Sequence, residues 1–465
     1  MNILMRFINL LKIVLQEVDK AKSIFSLLKK DIKMRIVLQK TLQIGEIRKE
    51  CKRYNIKNIH QIALEYHKQK ELQLKEKTLC YEMLTKSGSD ACGVMQHHST
   101  KEEQEMIIWS INHYLGLNRD SRVIESSKRA IEVYGTGCGT SAISGGHNSL
   151  HKELEERISK LFQKEDTVLF STGYSANVGA ISAIAKGKNN LVIVDRESHA
   201  SILDGCKLAG CRCIPFKHNS IEDLEKKIKR YGSKYDNILV IVESVYSMSG
   251  EYAPLKEIVR LREQYQFLFY VDEAHAFGIC GKDGGGRCQE LGLSDSVDFI
   301  MTTLSKSTAS LGGVISAKKE FITLVQSQAN AYMFQASLSP SDTATALTAL
   351  DIIRDDKSIV KRLWKNTNYF RLKLKELGFD IGEGKSPIIP IYVGDVEILL
   401  AMGRDMSAQG IFSTAITYPA VHHSEVRFRF IVNASHTIEH IDKTLSVLEL
   451  LGKKYGLLEK ERLLI

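Results

Sequence analysis

From about residue 109 onward, the hydrophobic pattern alternates between short apolar runs and segments whose apolar positions recur at helical spacing. The runs rich in β-branched residues predict strands at Asp166–Phe170, Leu191–Val194, Ile238–Val242, Phe267–Val271 and Phe299–Thr303. The amphipathic segments predict helices at Leu150–Phe162, Ile221–Tyr231 and Leu255–Tyr265. Apolar strands that are separated by helices are typical of a sheet buried on both faces. The pattern therefore predicts an α/β fold with a mostly parallel, doubly wound sheet.

The pattern changes again after about residue 345, where strands become fewer and helices longer. Strands are predicted at Ile388–Val393 and Val426–Val432, and helices at Val360–Leu377 and Ile438–Lys454. This mixture indicates a smaller α+β domain. We therefore expect three parts, which are a basic helical extension with a connector (1–104), a large α/β domain (105–344) and a small C-terminal α+β domain (345–465).

The N-terminal extension carries the excess positive charge of the chain. Residues 1–80 contain 18 Lys and Arg against 8 Asp and Glu, whereas the remaining residues contain 46 and 47. Apolar residues between Ile3 and Leu15 fall on one helical face, so residues 1–20 predict either peripheral contact with a membrane or a helix packed on the body. Because the body is electrically neutral, the composition argues against nucleic-acid binding.

The composition also argues against a membrane-spanning protein and against a zinc site. The 465 residues include only 6 Pro, and no apolar run reaches the roughly 18 residues that span a bilayer. None of the 9 Cys has the paired C-x-x-C spacing of a zinc site, so we expect free thiols and no metal. A cytoplasmic enzyme, with peripheral membrane association left open, fits these features.

Chemically informative residues follow several of the predicted strands. Asp272 and His275 follow one strand, Lys306 follows the next, and His199 lies just beyond a third. A Ser-Thr-Gly-Tyr turn (171–174) closes a fourth strand and opens a helix, so its backbone N–H groups can bind phosphate. A strand-end lysine can form a Schiff base, and an aspartate can hold a pyridinium nitrogen. Together they predict a site for a pyridine-ring cofactor that carries a phosphate.

Eight stretches of the chain resemble, in order, the α-oxoamine synthase family of fold type I pyridoxal-phosphate enzymes. That family includes serine palmitoyltransferase, 8-amino-7-oxononanoate synthase, glycine C-acetyltransferase and 5-aminolevulinate synthase. The stretches are INHYLGL (111–117), YGTGCG (134–139), STGYSANVG (171–179), DRESHASILDG (195–205), ESVYSMSGEYAPL (243–255), VDEAHAFGICGKDGGGR (271–287), TTLSKSTASLGG (302–313) and VRFRFIVNASHT (426–437).

The resemblance implies a role for each matching position. Pyridoxal 5'-phosphate would be the cofactor, with Lys306 as the Schiff-base lysine and Asp272 as the partner of the pyridine nitrogen. His275 would bind the phenolic oxygen of the cofactor and His199 would stack on its ring. The further cofactor contacts implied are Gly173, Tyr174, Ser247 and Thr303, and the contacts implied for the amino-acid carboxylate are Asn112 and Arg429.

The activity that the resemblance implies is condensation of a small amino acid with an acyl thioester, with decarboxylation, to an α-amino ketone. The thioester would be acyl-CoA or acyl carrier protein, and the active site would lie across a homodimer. An aminotransferase or lyase on the same fold, and a non-catalytic subunit, are the alternatives; the retained Lys306 argues against the latter.

The chain departs from the family pattern at three places. Ser141 and Ala142 replace an Arg-Asn pair, and one extra residue lies nearby. Ser337 lies where many members have a threonine that reaches the cofactor phosphate of the neighbouring subunit, and His113 replaces a commoner Asp or Asn. These departures leave the acyl donor and the cross-subunit contact open.

Overall fold

The computed structural model describes residues 44–75, 83–97 and 101–458, together with five isolated positions between 15 and 22. The amphipathic segment at residues 3–15 lies outside the described residues apart from Leu15. In the part of the chain that is described, no helix is both long and apolar enough to cross a membrane.

The helices and strands alternate through the body as the hydrophobic pattern predicts. The helices are α1 (Ile44–Arg53), α2 (Ile59–Lys75), α3 (Ser121–Tyr134), α4 (Ser149–Phe162), α5 (Gly173–Ile184), α6 (Ala200–Ala209), α7 (Ile221–Tyr231), α8 (Leu255–Arg262), α9 (Gly286–Glu290), α10 (Lys319–Gln328), α11 (Asn330–Met333), α12 (Pro340–Asp355), α13 (Lys357–Leu377), α14 (Val396–Ala408) and α15 (Ile438–Lys454). The strands are β1 (Met83–Thr85), β2 (Cys92–His97), β3 (Glu103–Ile108), β4 (Asp166–Phe170), β5 (Asn190–Asp195), β6 (Arg212–Phe216), β7 (Asn237–Glu243), β8 (Leu268–Asp272), β9 (Phe299–Thr303), β10 (Gly313–Ala317), β11 (Ile388–Tyr392), β12 (Ile411–Phe412), β13 (Thr414–Ile416) and β14 (Arg427–Ile431).

The central sheet has seven strands in the order β4-β10-β9-β8-β7-β5-β6. Neighbouring strands from β9 to β6 are parallel, and β10 pairs antiparallel with both β4 and β9. The predicted doubly wound, mostly parallel sheet is therefore confirmed. All five predicted strands are present, with their ends within about one residue of the prediction.

Two strands of this sheet were not predicted from the sequence. β6 contains Pro215 and begins with the exposed Arg212, and this composition is tolerated because β6 is an edge strand. β10 begins at Gly313, the last residue of the TTLSKSTASLGG stretch, and the four residues that follow are too few to form a clear apolar run.

Two hydrophobic cores cover the two faces of the central sheet. One face packs against α4, α7, α8 and α12, through residues such as Leu154 and Ile258. The other packs against α5, α6 and α10, through residues such as Ala180 and Ile202. Because both faces are covered, the inner strands are almost wholly apolar, which explains why the sequence pattern located them.

The C-terminal part contains a three-stranded sheet in the order β11-β14-β13, which is consistent with the predicted α+β character. The domain boundaries themselves stay a prediction. The segment that leads into the body nevertheless contains three strands that the sequence did not predict. β1, β2 and β3 form antiparallel pairs, and β3 pairs in parallel with β12 of the C-terminal part. The first half of β3 is polar and exposed, so the hydrophobic pattern does not predict a strand there.

Candidate active site

The candidate site lies where three adjacent parallel strands end. β7 ends at Glu243, β8 at Asp272 and β9 at Thr303, three residues before Lys306. Glu243 is the register partner of Asp272, and Asp272 that of Met301, so the three strand ends meet at one edge of the sheet. This is the edge at which open parallel sheets bind their ligands.

Lys306 lies in a site that disfavours its positive charge. Burial and the positive charge of Arg429 lower the pKa of its amine, the charges of Asp272 and Glu243 oppose this shift, and the resulting pKa is about 8. An amine with this pKa is partly neutral near pH 8, whereas an ordinary lysine stays protonated. Lys306 is therefore able to act as a nucleophile or as a base.

Asp272 is held in place by a buried hydrogen-bond network. Its carboxylate accepts hydrogen bonds from Asn177 Nδ2 at 2.8 Å and from the backbone N–H of Ala274 at 2.9 Å. Asn177 also donates to Ser201 Oγ at 3.0 Å and accepts from the hydroxyl of Tyr270 at 2.7 Å. Because Asn177, Ser201 and Tyr270 are fully buried, the carboxylate has one fixed orientation.

His275 is buried beside Tyr114, whose hydroxyl lies 2.6 Å from His275 Nδ1. Burial lowers the pKa of His275 well below its usual value, and the charges of Lys306 and Arg429 act in the same direction. His275 is therefore neutral at physiological pH. Tyr114 lies in the INHYLGL stretch (111–117), but its role could not be predicted from the sequence.

His199 caps the N-terminus of α6. Unlike Asp272 and His275, which are buried, it is exposed. Its backbone N–H donates to Glu243 Oε1 at 2.6 Å, and its Nδ1 lies 2.8 Å from Ser201 Oγ. Desolvation by the surrounding protein lowers its pKa, so the imidazole is neutral. An exposed, oriented and neutral ring is suited to stacking on a flat ligand.

Glu243 is a site residue that sequence reasoning missed. It is buried, and burial together with the charge of Asp272 raises its pKa to about 8. The predicted strand stopped one residue earlier, at Val242, so its terminal acid was not considered. The sequence shows that Glu243 directly follows the predicted strand Ile238–Val242, but it does not show that this strand end lies beside Asp272.

The Ser-Thr-Gly-Tyr turn forms the N-terminus of α5 beside the end of β9. Thr172 is the N-cap, and its hydroxyl accepts from the backbone N–H of Ser175 at 3.0 Å. A Cβ atom on Gly173 would lie 2.8 Å from Thr303 Cβ, so the turn approaches β9 closely. Thr303 and Ser305 present hydroxyls 2.9 Å apart at the same place. Backbone N–H groups, hydroxyls and a helix N-terminus are suited to binding a phosphate.

Tyr174 is the last residue of this turn, and its side chain is exposed. Its hydroxyl donates to Asp204 on α6, and its ring contacts that of His199 edge-on at 6.1 Å. Tyr174 therefore joins the start of α5 to α6 at the mouth of the site.

Arg429 on β14 faces the same site from the C-terminal part. Its Nη1 donates to the backbone oxygen of Ser247 at 3.2 Å, whereas its Nε is buried with no hydrogen-bond partner. Asn112 Oδ1 is likewise buried without a partner. Buried polar atoms without partners are rare in folded proteins and often mark the place of a ligand.

Two of the positions at which the chain departs from the family pattern also have a buried polar atom without a hydrogen-bond partner. They are Ser337 Oγ and His113 Nδ1. The backbone N–H of Ser337 donates to the carbonyl oxygen of Thr140 at 3.0 Å, which ties Ser337 to the loop that holds Ser141 and Ala142.

A second buried network beside the site was also missed. His218 Nδ1 lies 2.9 Å from Asp195 Oδ1, and His218 Nε2 lies 2.8 Å from Glu251 Oε2. Burial alone would lower the pKa of His218, but the hydrogen bonds to the two carboxylates raise it to about 10. His218 is therefore a permanent cation that joins β5 to the loop after β7, which contains Ser247.

The residues present fit pyridoxal phosphate. The close approach of Gly173 to Thr303 shapes a phosphate cradle, Asp272 is the fixed carboxylate, and Lys306 is the reactive amine. The unpaired Arg429 Nε and Asn112 Oδ1 leave a donor and an acceptor for an amino-acid substrate. No group of three or more His, Cys, Asp or Glu among the residues described is arranged to hold a metal ion.

Comparison with known proteins agrees with this arrangement. The family profile described as aminotransferase class I and II matches residues 104–448. The chain is 36% identical over 355 residues to 8-amino-7-oxononanoate synthase of Thermoanaerobacter pseudethanolicus, covering 76% of this chain and 90% of that protein. It is 37% identical over 342 residues to serine palmitoyltransferase of Sphingobacterium spiritivorum, covering 74% and 85%.

Solved structures point in the same direction. Serine palmitoyltransferase of Sphingomonas wittichii superposes with a TM-score of 0.78 at 30% identity, covering 84% of this chain and 98% of that chain. A high-resolution structure of serine palmitoyltransferase with PLP gives 0.77 at 31% identity, covering 81% and 94%. The chain therefore belongs to the aminotransferase class I and II family, as a fold type I, pyridoxal-phosphate-dependent acyltransferase of the α-oxoamine synthase branch.

Proposed function

We propose that this enzyme condenses a small α-amino acid with an acyl thioester, releases CO₂ and forms an α-amino ketone. The observation that carries the proposal is the pairing of Lys306, whose pKa is about 8, with the fixed carboxylate of Asp272 on the adjacent strand. The relatives named serine palmitoyltransferase and 8-amino-7-oxononanoate synthase support the same class of reaction.

The cofactor would be held from both of its ends. Lys306 would hold its aldehyde carbon, Asp272 would face its pyridine nitrogen, and His199 would lie on its ring. His275 would bind its phenolic oxygen, and the turn at Gly173 would hold its phosphate, with Tyr174, Ser247 and Thr303 as further contacts. When bound, pyridoxal phosphate supplies an electron sink for the negative charge left by loss of a proton or of CO₂.

Arg429 and Asn112 would bind and orient the amino acid. Arg429 has an unpaired Nε beside a guanidinium nitrogen that is already fixed on Ser247, so it can hold a carboxylate from a fixed direction. Asn112 Oδ1 can accept a hydrogen bond from the substrate. A carboxylate held in this way has one orientation relative to Asp272, which selects the bond that breaks.

Lys306 Nζ would take up the α-proton and return a proton at the end of the reaction. Its lowered pKa suits both transfers near neutral pH, because neither protonation state is strongly favoured. His275 is neutral and fixed by Tyr114, so it adds a hydrogen-bonding group without adding positive charge beside Lys306.

The functional unit would be a homodimer. Large apolar side chains are exposed on neighbouring parts of the chain, with Phe334 80% exposed, Ile143 59% and Leu311 45%. Ser337, whose buried Oγ has no hydrogen-bond partner, is three residues from Phe334 in the sequence. A second copy of the chain would cover these apolar groups and give Ser337 a partner, which would be the cofactor phosphate of the neighbouring subunit.

The test is a spectroscopic and product assay of the purified, cofactor-loaded enzyme. Its visible absorbance is recorded while glycine, L-alanine or L-serine is added, and then the release of thiol and CO₂ is measured with acyl-CoA thioesters of different chain length. A spectral change with one amino acid, followed by equal release of thiol and CO₂, is the expected result. Lys306→Ala should abolish both signals, whereas exchange of the exposed Lys282 for alanine should leave them unchanged.

Other outcomes identify the alternatives. Transfer of the amino group to a keto acid, without release of thiol, would reveal an aminotransferase. A protein that takes up no cofactor would overturn the enzyme assignment and favour a non-catalytic subunit.

A further inference from the structure

Three cysteine side chains meet where α6 leads into the edge strand β6. Cys206 lies in the last part of α6 and is buried, whereas Cys211 and Cys213 are half-buried. Cys206 belongs to the hydrophobic core on this face of the sheet, and the side chains of Cys211 and Cys213 pack against the same core. In addition, Cys211 Sγ donates to the carbonyl oxygen of Cys206 at 3.5 Å. This thiol cluster (Cys206, Cys211 and Cys213) is separate from the candidate active site and has no part in the proposed reaction.

The local fold explains why the three thiols converge. Gly210 adopts a left-handed conformation with φ of 66° and ends α6, so the chain reverses within a few residues and enters β6. Cys211 directly precedes β6 and Cys213 is its second residue, and both side chains pack on the same side of the strand. α6 covers that side, and Cys206, Cys211 and Cys213 all pack in the same hydrophobic core.

The three thiols are not chemically equivalent. Hydrogen bonding to Cys206 lowers the pKa of Cys211 and Cys213, while the same contacts and burial raise the pKa of Cys206. A thiol with a lowered pKa is more often a thiolate, which is the form that reacts with oxidants. By contrast, burial raises the pKa of the isolated Cys92 and Cys138 thiols.

We propose that the thiol cluster is an oxidation site in which Cys206 forms a disulfide with either Cys211 or Cys213 when the protein meets a peroxide. The half-buried thiolate attacks one oxygen of the peroxide and becomes a sulfenic acid, and the other oxygen leaves as water or alcohol. The Cys206 sulfur then attacks the sulfenic sulfur, the S–S bond forms, and the sulfenic oxygen leaves as water with the thiol proton. Two thiols lose two electrons in total, and the peroxide gains them.

A covalent bond at this position would join the C-terminal part of α6 to the edge of the central sheet. The opposite end of α6 begins after His199 and contains Ser201, which belongs to the network around Asp272. Oxidation would therefore act on the helix that borders the cofactor site. The inference itself rests only on the thiol geometry and holds whatever reaction the enzyme catalyses.

The tryptic map of this region makes the test direct. Lys207 and Arg212 separate the three cysteines into peptides 197–207, 208–212 and 213–217. The full-length protein is treated with hydrogen peroxide, free thiols are alkylated, and the tryptic digest is analysed without reduction. We expect peptide 197–207 to be linked to 208–212 or to 213–217, with loss of two hydrogens, and the link to disappear on reduction.

Single replacements test the central position of Cys206. Cys206→Ser should prevent both links, whereas Cys211→Ser and Cys213→Ser should each leave the other link intact. Cys92→Ser and Cys138→Ser are matched controls, because these half-buried thiols lie outside the cluster. They should not alter the links.

Three results would overturn the proposal. The first is full recovery of all three peptides as alkylated thiols, and the second is a link between 208–212 and 213–217 in place of a link to Cys206. The third is conversion of the cluster to sulfinic or sulfonic acids without any link. If Cys206→Ser fails to fold, the Cys211→Ser and Cys213→Ser variants still decide, because each must retain one specific link.

Discussion

Lys306 is the residue whose behaviour follows most directly from its surroundings. Only a neutral amine attacks the aldehyde of pyridoxal phosphate, so the rate of cofactor binding should follow the titration of this lysine. The rate for the cofactor-free enzyme should rise with pH, pass its midpoint near 8 and level off above it, as the pKa of about 8 requires. Stopped-flow absorbance between pH 6.5 and 10.5 measures this profile.

Replacement of the neighbouring acid, Glu243, tests the electrostatic cause of the pKa of Lys306. Glu243 raises the pKa of Lys306, so Glu243→Gln should move the midpoint to lower pH. Glu257 is exposed on α8, and Glu257→Gln should leave the midpoint in place. A midpoint near 10, as for an ordinary lysine, would contradict the lowered pKa.

Asn177 is a positioning residue for Asp272 rather than a group that touches the substrate. Replacement by leucine would leave the hydroxyl of Tyr270 and one carboxylate oxygen of Asp272 without their hydrogen bonds. We expect the free energy of unfolding to fall by about 1–3 kcal/mol and the affinity for the cofactor to fall about tenfold. Urea unfolding and cofactor titration measure the two effects.

The exposed Asn189 provides the matched comparison. Its side chain donates to Asp236 at the surface, so Asn189→Leu should change the free energy of unfolding by less than about 0.5 kcal/mol. Asn177→Leu with unchanged cofactor affinity would show that Asp272 does not depend on this network.

At the scale of elements, the approach of α5 to β9 defines the phosphate cradle. A Cβ atom at Gly173 would meet Thr303 at 2.8 Å, so Gly173→Ala must push the start of α5 away from the strand end. We expect weaker binding of inorganic phosphate and of the cofactor, by about tenfold for a change of about 1.4 kcal/mol. Isothermal titration with each ligand separates this effect from any change in catalysis.

Gly137 is the control for Gly173. A Cβ atom there would meet nothing within 4 Å, and its φ is not positive, so Gly137→Ala should bind both ligands as the wild-type protein does. Equal affinities for Gly173→Ala and wild type would place the phosphate elsewhere.

At the scale of the whole molecule, the proposed dimer depends on exposed apolar residues. Phe334→Glu would place a charge on the most exposed of these apolar residues, and we expect the protein to become monomeric and to lose activity. Light scattering after size-exclusion chromatography gives the mass directly. Leu450→Glu changes a 61% exposed leucine on α15, so it should keep the mass of the wild-type protein.

Much of the fold was predictable because the central strands are buried on both faces and therefore read as apolar runs. The residues at their ends, Asp272 and Lys306, were predictable for the same reason. Glu243 and Asn177 were missed because their importance depends on which strands are adjacent. The order β9-β8-β7 cannot be predicted from local sequence patterns. β1, β2 and β3 were missed because a partner far along the chain, β12, completes their sheet.

The pairing of β3 with β12 has a consequence for how the protein is made. Ile107 leaves the ribosome long before its partner Ile411, because all strands of the central sheet lie between them in the chain. One edge of β3 therefore stays unpaired while the residues of the whole central sheet are synthesised. An unpaired edge with apolar residues such as Ile107 and Ile108 attracts other strands. We therefore infer that the interval before β12 emerges is the stage of synthesis at which the nascent chain is most prone to aggregate, and at which a chaperone would help most.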